Sequence, residues 1–132
     1  MPFYRALVRP GILAETQRER FARDVVDVHC DVTGAPPSFV HVLFSEDGAG
    51  ELPEANVAAV HGTIRGGRTD AQKTEITTRL SHLLAERAGV DPSQVKATTS
   101  DVEASYTMEG GVVLPEPGSP EEAAWVTPGV SS

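Results

Sequence analysis

Residues 21–46 realign without a gap on residues 76–101, an offset of 55 residues. Phe21 falls on Ile76, Val25 on Leu80, Gly34 on Gly89, Pro37 on Pro92, Ser38 on Ser93 and Val40 on Val95. With one residue of slippage, Val8-Arg9-Pro10-Gly11 also falls on Ile64-Arg65-Gly66-Gly67. Few letters are identical, so the shared order carries the constraint: strand, glycine-bearing turn, helix, glycine stop, short loop, strand. Each half reads that way locally. The first helix, from about residue 14 to 33, carries Phe21, Val25, Val28 and Val32 at helical spacing, with Arg18, Glu19, Arg23, Asp24 and Asp27 largely elsewhere. Gly34 is a natural left-handed stop. The second helix opens on Thr69-Asp70-Ala71-Gln72, the pattern of a capping box. It buries Ile76, Leu80, Leu83 and Leu84 and ends at Gly89. Strands are expected over 3–8, 39–46, 56–64 and 94–102.

A strand, a crossover helix and a parallel strand, made twice, predict an α/β (α+β) fold of duplicated β-α-β units. The four-stranded sheet is mostly parallel-paired, with both helices on one face. The other face then needs cover, which predicts oligomerisation. One domain is expected over 1–118, its halves at about 2–47 and 56–102. From Glu109 onward come Gly110, Gly111, the short run Val112-Val113-Leu114, and Pro115, Pro117, Pro120 and Pro128. That composition reads as a brief edge strand and a flexible C-terminal tail over 119–132. Trp125 in the tail either docks on a neighbouring subunit or stays loosely held.

Composition narrows the function classes. The 11 Lys and Arg against 19 Asp and Glu give a net charge of −8, which argues against nucleic acid and against an anionic membrane as partners. No apolar run reaches membrane or signal-peptide length, and a cytoplasmic location is expected. Cys30 is the single cysteine, so neither an internal disulfide nor a cysteine-based zinc cluster can form. His29, His41, His61 and His82 lack ligand spacing; no metal and no cofactor are expected. Gly66-Gly67 lacks the glycine spacing of a phosphate loop.

Candidate chemistry begins at the first residues. Removal of the initiator methionine would leave Pro2 with a secondary amine at the mouth of a strand, its φ fixed by the ring. An α-amino group titrates at about 7.7–8.0, so burial or nearby cations can make it a base near neutral pH. Proline in second position is also a common stable start. Arg65 and Arg68 sit in the strand-to-helix turn beside the second helix's N-terminus, where two guanidinium forks suit a carboxylate. They read equally as solvated surface charges. His29, one turn after Val25, is either a pocket donor or a core histidine. Glu109, beside the glycine pair, can position or activate a water. Phe39, Val40 and Thr98 are placed to shape a pocket.

Pro2, the repeat, His29 before Val32-Thr33-Gly34, the turn Thr63-Ile64-Arg65-Gly66-Gly67-Arg68-Thr69, and Glu109-Gly110 ahead of Leu114-Pro115-Glu116-Pro117-Gly118 together resemble the tautomerase superfamily. Within it they are most similar to the cis-3-chloroacrylic acid dehalogenase group. The resemblance spans most of 2–118. It implies a homotrimer of duplicated β-α-β chains acting on a small carboxylate, with the amino-terminal proline as catalytic acid or base. It further implies that Arg65 and Arg68 bind the carboxylate, His29 hydrogen-bonds the substrate and Glu109 orients water. The dehalogenase pattern carries a tyrosine eleven residues before its glutamate; here that position is Thr98, and Tyr106 lies three residues before Glu109. That departure weighs against dehalogenation and hydration more than against tautomerisation. The expected activity is a keto–enol tautomerase of 2-oxo or 2-hydroxy-enoic acids. The alternatives are a hydrolytic cis-3-haloacrylate dehalogenase or hydratase, and a non-catalytic binding protein on the same fold.

Overall fold

A computed structural model describes residues 2–103, 108–109 and 112–113 of the chain. The elements follow in order as β1 (Phe3–Val8), α1 (Glu15–Thr33), β2 (His41–Glu46), β3 (Ala58–Arg65), α2 (Asp70–Ala88), β4 (Val95–Val102), β5 (Met108–Glu109) and β6 (Val112–Val113). The main sheet runs β2-β1-β3-β4. Within each half the strands pair in parallel, β1 with β2 and β3 with β4, and the halves join through an antiparallel β1–β3 pairing. The duplicated β-α-β architecture is therefore as the repeat predicts.

Three strands start later than expected, at His41, Ala58 and Val95. Residues 37–39 and 92–94 form short 3-10 turns ahead of β2 and β4. In each, proline opens the turn, where its fixed φ suits a helical start and its missing N–H costs nothing. The short β5 pairs with β6 in a separate two-stranded sheet rather than on the edge of the main one. The expected tail at 119–132, Leu114, Tyr106, Trp125 and the glycine pair lie outside the described residues.

Glycine ends both helices in the left-handed region, Gly34 at φ 76° and Gly89 at φ 70°. One face of the sheet carries Tyr4, Ala6, Val8, Ala58, Val60 and Ile64. Against it pack Phe21, Val25 and Val28 of α1 and Ile76, Leu80 and Leu84 of α2, giving one contiguous core. The helices are also tied to each other by Arg87–Asp24 and Arg79–Asp31 ion pairs. Among the described residues no layer covers the opposite face. Phe3 and Leu43 are exposed there, 42% and 49% accessible, beside Arg5, His61, Lys96, Thr98 and Ser100. This face is thus more mixed than the bare apolar surface the pattern predicts, with its apolar part on β1 and β2.

Candidate active site

The antiparallel join decides what meets at one end of the sheet. Phe3 pairs with Thr63, so the chain preceding β1 lies beside the end of β3, where the turn carrying Arg65 and Arg68 begins. Pro2 is buried there, and its carbonyl accepts the His41 N–H at 3.1 Å, fixing it against the start of β2. Phe39, 5% exposed, stands in the 3-10 turn just ahead of that strand. Because α1 returns antiparallel to β1, its C-terminal end, with His29, reaches the same region. Pro2, His29, Phe39, Arg65 and Arg68 therefore share one end of the molecule.

His29 is 2% exposed. Its Nδ1 lies 2.8 Å from the Tyr4 hydroxyl, and the two rings meet edge to face with centroids 5.6 Å apart. Burial, then the Arg68 charge, the amino terminus and the Arg65 charge hold the imidazole down at about 4, so it is neutral at pH 7. Burial pushes the Tyr4 phenol up, with Arg68 partly opposing, so it keeps its proton. The ring of Tyr4 has room only because its cross-strand partner is Gly62: a Cβ there would lie 2.4 Å from Tyr4 Cε1. Tyr4 and Gly62 were not legible as site residues, since nothing local in the sequence couples position 4 to position 29.

The turn that carries the arginines is held at both ends. Gly66 N–H donates to the Val102 carbonyl at 2.8 Å. The capping box is present as read from the sequence: Thr69 N–H donates to Gln72 Oε1, and Gln72 N–H donates to Thr69 Oγ1. Gln72 Nε2 also donates to the Val32 carbonyl near the end of α1, linking the arginine turn to the helix that carries His29.

Thr98 is not part of this group within one chain. It lies on the uncovered face, paired with His61, and its hydroxyl meets His61 Nδ1 at 2.7 Å while Ser100 meets Nε2 at 2.9 Å. Glu109 stands in β5 opposite Val112. Among the described residues no group of three or more His, Cys, Asp or Glu side chains converges as a metal site.

The repeat makes a second end, related to the first by an approximate two-fold rotation, and the chain fills it itself. Arg9 matches Arg65, yet its Nε donates to the Asn56 carbonyl at 2.9 Å and its Nη2 to the Pro53 carbonyl at 3.1 Å. Asp47 holds the same linker by accepting the N–H groups of Glu51 and Leu52. Among the described residues it is the Pro2 end that carries two arginines, Arg65 and Arg68, in the turn beside a strand start.

A family model described as "Putative oxalocrotonate tautomerase enzyme" matches residues 1–129. The chain belongs to the tautomerase superfamily. Among solved structures it is similar to N1, a member of the cis-3-chloroacrylic acid dehalogenase family, at 29% identity. That match covers 96% of this chain and 92% of the other, with a TM-score of 0.81. It is also similar to native Ps01740, at 33% identity over 81% of this chain and 99% of the other, with a TM-score of 0.73. A fused 4-OT solved as an asymmetric trimer shares the fold at 21% identity, covering 84% and 94%, with a TM-score of 0.74. No curated protein matches the sequence. This member of the superfamily falls in its cis-3-chloroacrylic acid dehalogenase-like group, as the resemblance implied.

Proposed function

We propose that this chain is a keto–enol tautomerase of small 2-oxo or 2-hydroxy-enoic acids, with Pro2 as the proton-transfer group once Met1 is removed. The observation that carries the reading is that buried Pro2 lies beside the end of β3, where the arginine turn begins, at the same end of the sheet as buried His29. Surroundings that hold an imidazole near 4 also disfavour an ammonium at the strand start beside them. The same burial and the same arginine charges therefore push the Pro2 amine toward its neutral, basic form. A neutral amine takes the enol proton and returns it to carbon. Arg65 and Arg68 would grip the substrate carboxylate and stabilise charge developing on the enolate side. His29 would donate a hydrogen bond to a substrate oxygen, and Phe39 would supply apolar wall. The assembly we propose is a homotrimer in which uncovered sheet faces cover one another, so that Thr98 and Glu109 of one chain can reach the site of another.

The test is turnover of phenylenolpyruvate and 2-hydroxydienoates by wild type and Pro2→Ala, with intact mass confirming loss of Met1. Removing a general base costs roughly 10²–10⁴-fold, so Pro2→Ala should lose at least two orders of magnitude while keeping its circular dichroism spectrum. Undiminished turnover in Pro2→Ala defeats the proposal.

The similarity to N1 favours a second reading, hydrolytic dehalogenation or hydration of a 3-substituted acrylate. There Pro2 must stay protonated while Glu109 activates water, the opposite charge state of the same nitrogen. Nitrogen NMR titration of the Pro2 amine separates the two: a value well below 7 supports the base, well above it the acid. A non-catalytic binding protein would retain carboxylate affinity with no turnover of either substrate class.

A further inference from the structure

We propose that Tyr4 is a positioning residue: its hydroxyl donates to His29 Nδ1, fixing the imidazole as the Nε2–H tautomer so that the ring meets substrate as a donor. The hydrogen bond alone leaves the direction open, because a neutral imidazole nitrogen can donate or accept. Proton accounting closes it. If Nδ1 carried the proton and donated to the phenol oxygen, the phenol proton would need an acceptor of its own in a buried site. Among the described residues Tyr4 Oη has no hydrogen-bond partner other than His29 Nδ1. A buried hydroxyl that cannot donate is costly, whereas His29 Nε2 is not among the buried unpartnered side-chain atoms of the described residues and can hold the proton, so the Tyr4-to-His29 direction wins. The proton of His29 then sits on Nε2, on the side of the ring away from Tyr4.

The seat for this hydroxyl is built rather than incidental. Tyr4 is fully buried, and its ring fills the space that Gly62 leaves open across the β1–β3 pairing. The titratable and charged groups that bear on the pair are Arg68, Arg65, the amino terminus and the Cys30 thiol, which influences the phenol. The two guanidinium cations favour a neutral imidazole, and burial favours both neutral rings, so the pair keeps its protons across neutral pH. The tautomer follows from the geometry alone, whereas its effect on turnover rests on the tautomerase reading.

Long-range nitrogen–proton NMR of the full-length wild-type protein reads the tautomer directly. Expected is an unprotonated Nδ1 and a protonated Nε2 for His29; an Nδ1–H signal or an even mixture overturns the proposal. Tyr4→Phe keeps the ring packing and removes the donor. It should convert His29 to a tautomer mixture and lower kcat/KM for a 2-hydroxydienoate roughly tenfold, the effect of losing one good buried hydrogen bond. An unchanged His29 spectrum in Tyr4→Phe also overturns it. In a His29→Gln background, whose amide has no ring tautomer to set, Tyr4→Phe should cost less than about twofold, and a repeated tenfold loss there argues for plain packing instead. If wild type shows no turnover at all, the tautomerase reading fails while the NMR result still decides the role of Tyr4.

Discussion

At His29 the physics of burial becomes a stability statement. The ring is neutral when folded down to about pH 4, whereas its unfolded value is the ordinary 6.5. Above about pH 6.5 neither state is charged and the group contributes nothing. As pH falls from there toward 4, the unfolded chain binds a proton that the folded chain refuses, so stability drops through that window. The loss expected by about pH 4.5 is on the order of 2–3 kcal/mol. Urea denaturation at about pH 7 and about pH 4.5 checks this: His29→Gln should lose less stability than wild type between those two conditions, by roughly that amount. Equal losses in the two proteins would show that His29 titrates normally when folded. The sequence exposed half of this. His29 follows Val25 by one turn, which left a pocket donor and a core histidine both open. Its hydroxyl partner lies 25 residues away on another strand, and only the folded sheet brings them together.

The same division holds for whole elements. Both helices, their glycine stops and the Thr69–Gln72 capping box were legible because the forces that set them are local: periodic burial, left-handed caps and reciprocal end bonds. The antiparallel β1–β3 join was not legible, because it depends on which edges of two similar units meet. Yet that join brings Pro2 to the arginine turn. Nor could Arg9 be told from Arg65 in the repeat, since the difference lies in a linker that folds back on Arg9 alone. The first turn of α2 shows how an element positions chemistry. Gln72 completes the capping box and also reaches the α1 carbonyl of Val32. Gln72→Ala should cost about 1–2 kcal/mol in denaturant unfolding, combining a lost cap and a lost interhelix hydrogen bond. It should also raise KM more than it lowers kcat, because the turn that aims Arg68 loses its anchor. Gln94→Ala is the control. It removes the equivalent box bond at the start of β4, remote from Pro2, and should lower stability with KM unchanged. If both variants alter KM alike, the anchoring role of Gln72 is wrong.

For the whole molecule, the unfinished element is the sheet's second face. A four-stranded sheet with helices on one side leaves its other side to water or to another chain. Here the apolar contribution is concentrated on β1 and β2, where Phe3 and Leu43 stand exposed, and the polar contribution on β4, where Thr98 and Ser100 hold His61. An arrangement in which the β1–β2 side of one chain meets its neighbours would bury the apolar part. It would also bring residues of one chain to the Pro2 end of another, because β1 and β2 both begin there. Leu43→Lys tests this with little risk to the fold, since the side chain is half exposed and lies outside the core cluster. The lysine would stand directly across from Arg5, adding like-charge repulsion to the loss of an apolar anchor. Sedimentation velocity of wild type should give the trimer mass, and Leu43→Lys should shift it toward monomer with its circular dichroism spectrum unchanged. Tautomerase turnover should fall in parallel with dissociation and recover at protein concentrations that restore the assembly. A monomeric wild type would overturn the proposed assembly, and a variant that stays assembled would place the interface elsewhere. Full activity in a dissociated variant would instead show that one chain holds every group the reaction needs, leaving Thr98 of a neighbouring chain without a part in it.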